Sequence, residues 1–298
     1  MRGFFSSHPG AVLQALLVTF LWSTSWVLIK LGLLEIPALT FAGLRYGLAF
    51  LCLFIYMLAS RQTGPLKSLS FRQWGLLILL GVTFYTVVQG AQFFGLAYLP
   101  AATISLILNF TTLVVALMGL LWLAERPGWL GWLGIILSIS GAVVYFYPVD
   151  FPASQYLALF IVIFGMLVNA FSAVLGRYIN HREAIPVLTV TTVSMGVGGL
   201  LLLAGGITMQ GLPAISTRGW LIIAWLAVVN TAFAFTLWNY TLRTLEAMES
   251  SLINSTMLIQ VALLAWIFLG ESLSTKEWIG LIVAGIGVLL VQLRGARR

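Results

Sequence analysis

The sequence predicts an all-α polytopic membrane protein with ten transmembrane helices in two inverted five-helix repeats. Three observations predict it. The chain of 298 residues is 61% hydrophobic and 8% charged, against about 25% charged in a typical soluble domain, so it lacks the polar surface to cover a water-facing globule. Apolar runs of the roughly 20 residues a helix needs to cross the hydrocarbon recur from end to end. They are continuous rather than alternating, which excludes a membrane barrel. Finally, WLAERPGWLGWLGIILSISGAVV at 122–144 returns at 268–290 as FLGESLSTKEWIGLIVAGIGVLL, which is 146 residues later without a gap.

The helices are expected at 11–33, 37–60, 73–96, 100–124, 128–147, 154–178, 185–205, 217–244, 247–269 and 275–293. Pro37, Pro100, Pro127, Pro148, Pro152, Pro186 and Pro213 mark many of the boundaries, as a residue with fixed φ and no N–H should. Residues 1–10 read as a short N-terminal segment, too polar to be a cleaved signal. Residues 11–148 make the first repeat and 154–294 the second, together one integrated domain. Cys52 is the only cysteine, so no internal disulfide forms.

An even number of spans puts both termini on one side, and basic residues choose the side. Arg2, Arg61, Lys67, Arg72, Arg126, Arg177, Arg182, Arg243, Arg294, Arg297 and Arg298 fall with the termini, while Lys30, Arg45, Arg218 and Lys276 fall toward the other face. Basic residues mark the cytoplasmic side, so both ends are expected in the cytoplasm. The net charge of +7 is then a topology signal. It is scattered rather than gathered on one aromatic-laced surface, and no nucleic-acid partner is expected.

The 146-residue offset places Glu125 over Glu271, Trp132 over Trp278, Gly134 over Gly280 and Gly141 over Gly287, and also Trp74 over Trp220 and Ser105 over Ser251. The first helix of each half matches at 147, with Lys30 over Arg177 and Ser25 over Ser172. Halves of five helices each must lie in the membrane with opposite orientation. Many secondary transporters are built this way, with binding near the midplane between the halves and alternating access through rocking of one against the other.

Polar and aromatic residues recur at helical spacing within the spans. Tyr85, Gln89 and Gln92 lie at i, i+4 and i+7 of the third helix, which puts them on one face. The offset carries them to Thr231, Phe235 and Trp238 in the eighth. Ser105, Asn109 and Thr112 repeat the spacing in the fourth helix, answered by Ser251, Ser255 and the neighbouring Asn254 in the ninth. Trp22 and Trp26 sit one turn apart in the first helix, and Asn169 is the repeat mate of Trp22. Each amide taken alone reads as interhelical glue. The set reads as the lining of a wetted cavity, because so many amides and hydroxyls exceed what packing requires.

Among the ionisable residues, Lys30 is within a turn of its helix end, where it snorkels to the interface or meets a ligand. Arg45 is deeper. It reads as a structural pin with Glu35 or the carbonyls ending the first helix as partner, or as a ligand for a substrate carboxylate. Glu125 and Glu271 are expected to cap the helices that follow them. Every acid lies at a helix end or in a loop, and His8 and His181 lie near the cytoplasmic face. The midplane therefore has neither the titratable group of a proton-coupled pump nor the glutamate of a cation-binding carrier. Such a cavity suits a net-neutral zwitterion, with amides and hydroxyls for its charges and Trp and Phe walls for its side chain.

The stretches LWSTSWVLIKLGLLEIP and FAGLRY, with LAERPGWLGWLGIILSISGAVV and LGESLSTKEWIGLIVAGIGVLL closing each half, resemble the EamA pattern of the drug/metabolite transporter superfamily. Within it the residues look most like exporters of aromatic amino acids. The resemblance implies a basket of ten helices around a central cavity lined mainly by helices 1, 3, 4, 6, 8 and 9, with helices 5 and 10 peripheral. It implies export of aromatic and other neutral amino acids from a bacterial inner membrane, with the bilayer and the substrate as partners, no cofactor and no metal, and a monomer as the working unit. A carrier of another metabolite, a purine, nucleotide sugar or drug, is the rival reading. An enzyme is not expected: H-E-x-x-H, G-x-S-x-G and paired membrane aspartates are all missing from the sequence. A channel would call for a filter motif or pore-lining charges.

Overall fold

The computed structural model of the chain describes residues 8–111, 113–115, 129–147, 151–183, 185–241, 245 and 253–295. All regular structure among them is helical. The helices are α1 His8–Gly32, α2 Ala38–Ala59, α3 from Phe71–Leu80, Gly81–Val88 and Gln89–Tyr98, α4 Ala101–Asn109 and α5 Trp129–Phe146. They continue with α6 Tyr156–Arg182, α7 Val187–Gln210, α8 from Thr217–Ala227, Val228–Phe233 and Ala234–Thr241, α9 Met257–Leu269 and α10 Thr275–Gly295. Of these, 7 described helices are long and apolar enough to cross a membrane, and shorter apolar helices accompany them.

The helix starts follow local chemistry. Pro37, Pro100 and Pro186 occupy the N-cap positions of α2, α4 and α7, where a missing N–H costs nothing. Ser70 opens α3 with a capping box to Gln73, and Ser216 opens α8 by accepting from the Gly219 N–H at 3.0 Å. Ser70 and Ser216 are 146 residues apart, so the repeat extends to the caps.

The middle of two helices departs from expectation. Gly81–Val88 in α3 and Val228–Phe233 in α8 are π-helical. The offset maps the first stretch onto 227–234, over the second. Bonds from i to i+5 widen the turn, so the 3.6-residue spacing that placed Tyr85 with Gln89, and Thr231 with Phe235, does not hold there.

The helices form two compact units, and neither is a sequence half. One takes Leu28–Ala97 and Phe164–Phe233, and the other takes Met1–Val27, Tyr98–Ile163 and Ala234–Arg298. In the first, α2 packs on α7 through glycines: Thr40 lies against Gly206, Gly43 against Leu203, Tyr46 and Gly47 against Gly199, and Phe50 against Gly196. Numbers rise along one helix as they fall along the other, so the pair is antiparallel. A separate cluster of Leu77, Leu80, Leu175, Ile179, Ile185, Val190 and Val193 joins α3, α6 and α7.

In the second unit α5 packs on α10 in the same manner, with Gly141 against Ala284 and Gly280, and Gly287 against Ser138 and Gly134. Lipid tails are as apolar as leucine, so helices in a bilayer gain their contact energy from close approach, which small residues permit. The repeated Gly134, Gly141, Gly280 and Gly287 are thus the seam where repeat-mate helices meet, again antiparallel. Ala102, Leu106, Leu258 and Ala262 carry the contact of α4 with α9.

Candidate functional site

The expected site residues divide between the two units. In the unit of α2, α3 and α7, Arg45 is 4% exposed. Its Nε donates to Thr231 Oγ1 at 3.1 Å, and the Thr231 hydroxyl donates to the Leu226 carbonyl at 2.8 Å. That carbonyl is five residues back, the reach of a π-helical turn, and it orients the threonine. The guanidinium carbon lies 5.2 Å from the Tyr46 ring centre and 5.9 Å from that of Phe93, within cation–π range. The Tyr46 hydroxyl in turn donates to Gln89 Oε1 at 2.6 Å, and its ring meets Tyr85 edge-on at 5.7 Å.

The sequence pointed to Glu35 or the end of the first helix as the partner of Arg45. Glu35 is instead exposed and accepts from Ser216 Oγ at 3.0 Å, against the N-terminus of α8. A carboxylate there meets the free N–H groups and the positive end of the helix dipole. Arg45 is left with a hydroxyl and two aromatic faces. Gln92 and Asn169 are half-buried on α3 and α6, and Lys30 is half-buried in the last turn of α1.

In the other unit, Trp22 lies 5.2 Å from Phe235 and 5.2 Å from Trp238, ring centre to ring centre, tilted against both. Among the described residues the buried Trp22 Nε1 has no hydrogen-bond partner. An unsatisfied buried donor costs about 1–3 kcal/mol. Trp26, one turn on, is 6% exposed. Below them Ser23 Oγ lies 3.0 Å from Gln260 Oε1, and Gln260 Nε2 donates to Thr256 Oγ1 at 2.9 Å, which ties the described part of α9 to α1. Asn109 is half-buried at the end of α4 and Asn254 is exposed. Thr112, Glu125 and Ser251 lie outside the described residues.

Sequence reasoning treated Thr231, Phe235 and Trp238 as one face. The structure separates them: Thr231 holds Arg45 in one unit, while Phe235 and Trp238 hold Trp22 in the other. It also passed over Tyr46, Phe93 and Gln260. Tyr46 stands beside Arg45 in FAGLRY, and Gln260 is an amide in an apolar run, so both carried a signal.

The described loop acids act near helix ends rather than on these groups. Glu271 was expected to cap the helix that follows it. Its carboxylate accepts from the Ala101 N–H at 2.9 Å and the Ala102 N–H at 3.4 Å, so it caps α4, a helix of the other sequence half. The start of α10 is closed by Ser274, whose Oγ accepts from the Glu277 N–H at 3.3 Å while Glu277 accepts from the Ser274 N–H at 2.7 Å. Glu183 pairs with Arg72 at 3.3 Å and accepts from Gln73 Nε2 at 3.3 Å, beside the N-terminus of α3. Arg72 also donates to the Tyr178 hydroxyl.

Long apolar helices, glycine seams and a buried arginine amid aromatics define a polytopic helical membrane protein with a polar interior. The EamA-like transporter family model matches residues 9–147 and again 156–293, and the chain belongs to that family: it is a membrane-embedded transporter. Similar proteins include an uncharacterized transporter, sll0355, of Synechocystis sp., 26% identical over 92% of this chain and 87% of its own length. The uncharacterized inner membrane transporter YedA of Escherichia coli K12 is also 26% identical, over 92% of this chain and 87% of its own. The uncharacterized transporter YvbV of Bacillus subtilis is 33% identical over 44% of this chain and 42% of its own. A crystal structure described only as that of a protein superposes with a TM-score of 0.69, covering 98% of this chain and 100% of its own at 18% identity. That likeness is one of fold.

Proposed function

We propose that the chain exports amino acids, favouring aromatic and other neutral zwitterions, by alternating access across a bacterial inner membrane, with both termini in the cytoplasm and a monomer as the working unit. The observation that carries this reading is the division of charge. Glu271 and Glu277 accept from backbone N–H groups at helix starts, and Glu35 and Glu183 from side chains beside them, while the described buried positions offer amides, hydroxyls, aromatic rings and Arg45. Such an interior solvates the two charges of a zwitterion and the apolar body of its side chain. A phosphorylated ligand would call for several cations. The sequence also resembles the aromatic amino-acid exporter YddG.

Two features support ten alternating spans in inverted halves. The repeat mates α5 and α10 pack antiparallel, as inversion requires. The loop contacts also sort by parity. Glu35, after α1, meets Ser216, after α7; Arg72, after α2, meets Glu183, after α6; Glu271, after α9, meets Ala101, after α3. Each pair joins loops that alternation would put on one side.

The test is uptake of a labelled amino-acid panel into liposomes containing only this protein. Saturable uptake of phenylalanine, tryptophan and other neutral amino acids is expected. Uptake of purines or nucleotide sugars with none of amino acids would overturn the reading.

A further inference from the structure

We infer that Arg45 and Gln89 form the carboxylate subsite of the transporter, an assignment that rests on the amino-acid reading and names which side chains hold one end of the substrate. Arg45 is 4% exposed in the interior of a membrane protein, where an arginine side chain is expensive to hold and marks a functional site when nothing neutralises it. Among the described residues no carboxylate neutralises it. Glu35, Glu183, Glu271 and Glu277 are all held at helix ends. Its one hydrogen bond among the described residues goes from Nε to Thr231 Oγ1, which leaves the Nη fork without a protein acceptor there. The Tyr46 and Phe93 faces below the guanidinium fix its plane and add some attraction, yet offer no oxygen in that plane.

Gln89 completes the pattern. Its Oε1 accepts from Tyr46, and Tyr46 is the ring over which Arg45 lies. The Gln89 amide nitrogen carries two further donors, and nothing among the described residues accepts from them. Arg45 and Gln89 therefore flank one tyrosine, each oriented through an atom already engaged, and both present N–H groups. A group rich in oriented donors and poor in acceptors is complementary to a carboxylate, which accepts through two oxygens and matches the guanidinium fork side by side. The competing role is that of a pin, in which Arg45 serves only to hold Thr231 and the π-helical stretch of α8. A pin would act on every ligand alike, whereas a carboxylate subsite acts only on ligands that carry the acid.

That difference supplies the experiment. Purified full-length protein is titrated with L-phenylalanine, with 3-phenylpropionate, which lacks the amine, and with phenethylamine, which lacks the acid. Binding is read from intrinsic tryptophan fluorescence. The wild type is expected to bind the two acids at least about tenfold more tightly than the amine, the ratio expected for one charge-assisted hydrogen bond. Arg45→Gln and Gln89→Glu should each abolish that preference without weakening phenethylamine binding by more than about twofold. Gln89→Glu keeps the acceptor for Tyr46 and replaces the amide donors by an anion that repels a carboxylate, so it decides the matter if Arg45→Gln does not fold. Arg45→Lys should restore part of the preference. Equal weakening of all three ligands by these variants, unchanged acid binding, or a wild type that binds neither acid would overturn the subsite. Arg45-dependent binding of 3-phenylpropionate with none of phenylalanine would leave the subsite standing and sink the amino-acid reading instead.

Discussion

Ser138 Oγ lies 3.4 Å from the carbonyl oxygen of Ala284 and donates to it, and the two residues are 146 positions apart, the offset that superposes the halves of the sequence. The bond joins repeat mates. A two-fold relation between α5 and α10 must pass close to it, because the contact of Gly141 with Gly280 becomes, when each residue is exchanged for its mate, the contact of Gly287 with Gly134. The seam is symmetric to the level of single glycines.

This seam can be tested by size. A side chain at Gly141 would run into the main chain of Ala284 and Gly280, and one at Gly287 into that of Ser138 and Gly134. Gly141→Leu and Gly287→Leu should each cost at least the 1–3 kcal/mol typical of overpacking, read as a lower Tm in detergent. Gly205 in α7 has nothing within 4 Å of where a Cβ would stand. Gly205→Ala should be neutral or stabilise by up to about 1 kcal/mol, as alanine is the better helix former. Equal tolerance at all three positions would remove the seam.

The cap on α4 makes a second prediction. Glu271 satisfies N–H groups of a helix in the opposite sequence half, so Glu271→Ala should cost about 0.5–2 kcal/mol, the range for lost N-caps. Amide exchange at Ala101 and Ala102 should accelerate with it. If the faster exchange were confined to the first turn of α10, the carboxylate would be capping its own helix after all.

Topology is open to labelling. In a Cys52→Ser background, single cysteines at Leu34 and Leu212, both exposed and in loops whose neighbours Glu35 and Ser216 are bonded, should react with a membrane-impermeant thiol reagent added to intact cells. A cysteine at the exposed Gln62 should react only after permeabilisation. Opposite labelling of Leu34 and Leu212 would dismantle the inverted arrangement.

Energy coupling follows from where the acids are. The described carboxylates lie at helix ends, whereas proton-coupled carriers place an ionisable group within the membrane. Counterflow of labelled phenylalanine in liposomes should persist at equal pH on both sides with a protonophore present. Accumulation against the substrate gradient that appears only with a pH step would reverse this, and would turn attention to Lys30.

Much of the scaffold could be read from residue order because its causes are local. Proline and serine caps, apolar run lengths and the repeated glycines depend on neighbours a few positions away; Pro37, Pro100 and Pro186 mark starts as expected, while the caps Ser70 and Ser216 were not singled out. What escaped depends on the third dimension. Nothing near Glu271 in sequence tells that its carboxylate reaches Ala101, and nothing near Arg45 singles out Thr231, 186 residues on. The π-helical turns were hidden because residues such as Val, Thr, Phe and Tyr in Gly81–Val88 suit an α-turn equally well, and the extra residue is held by packing rather than by local preference.

The π-helical stretch of α8 makes residue counting itself a functional quantity. In a regular helix each residue advances the side chain by about 100°, which would return Phe235 and Trp238 to the face of Thr231. Thr231, which meets Arg45, lies inside the wider turn, and Phe235 and Trp238, which meet Trp22, lie beyond it. Removing a single residue such as Ala232 would shift the register of everything beyond it without changing any remaining side chain. At the matching place in α3 the count works the other way, since Tyr85 and Gln89, on either side of the wide turn's last residues, both meet Tyr46.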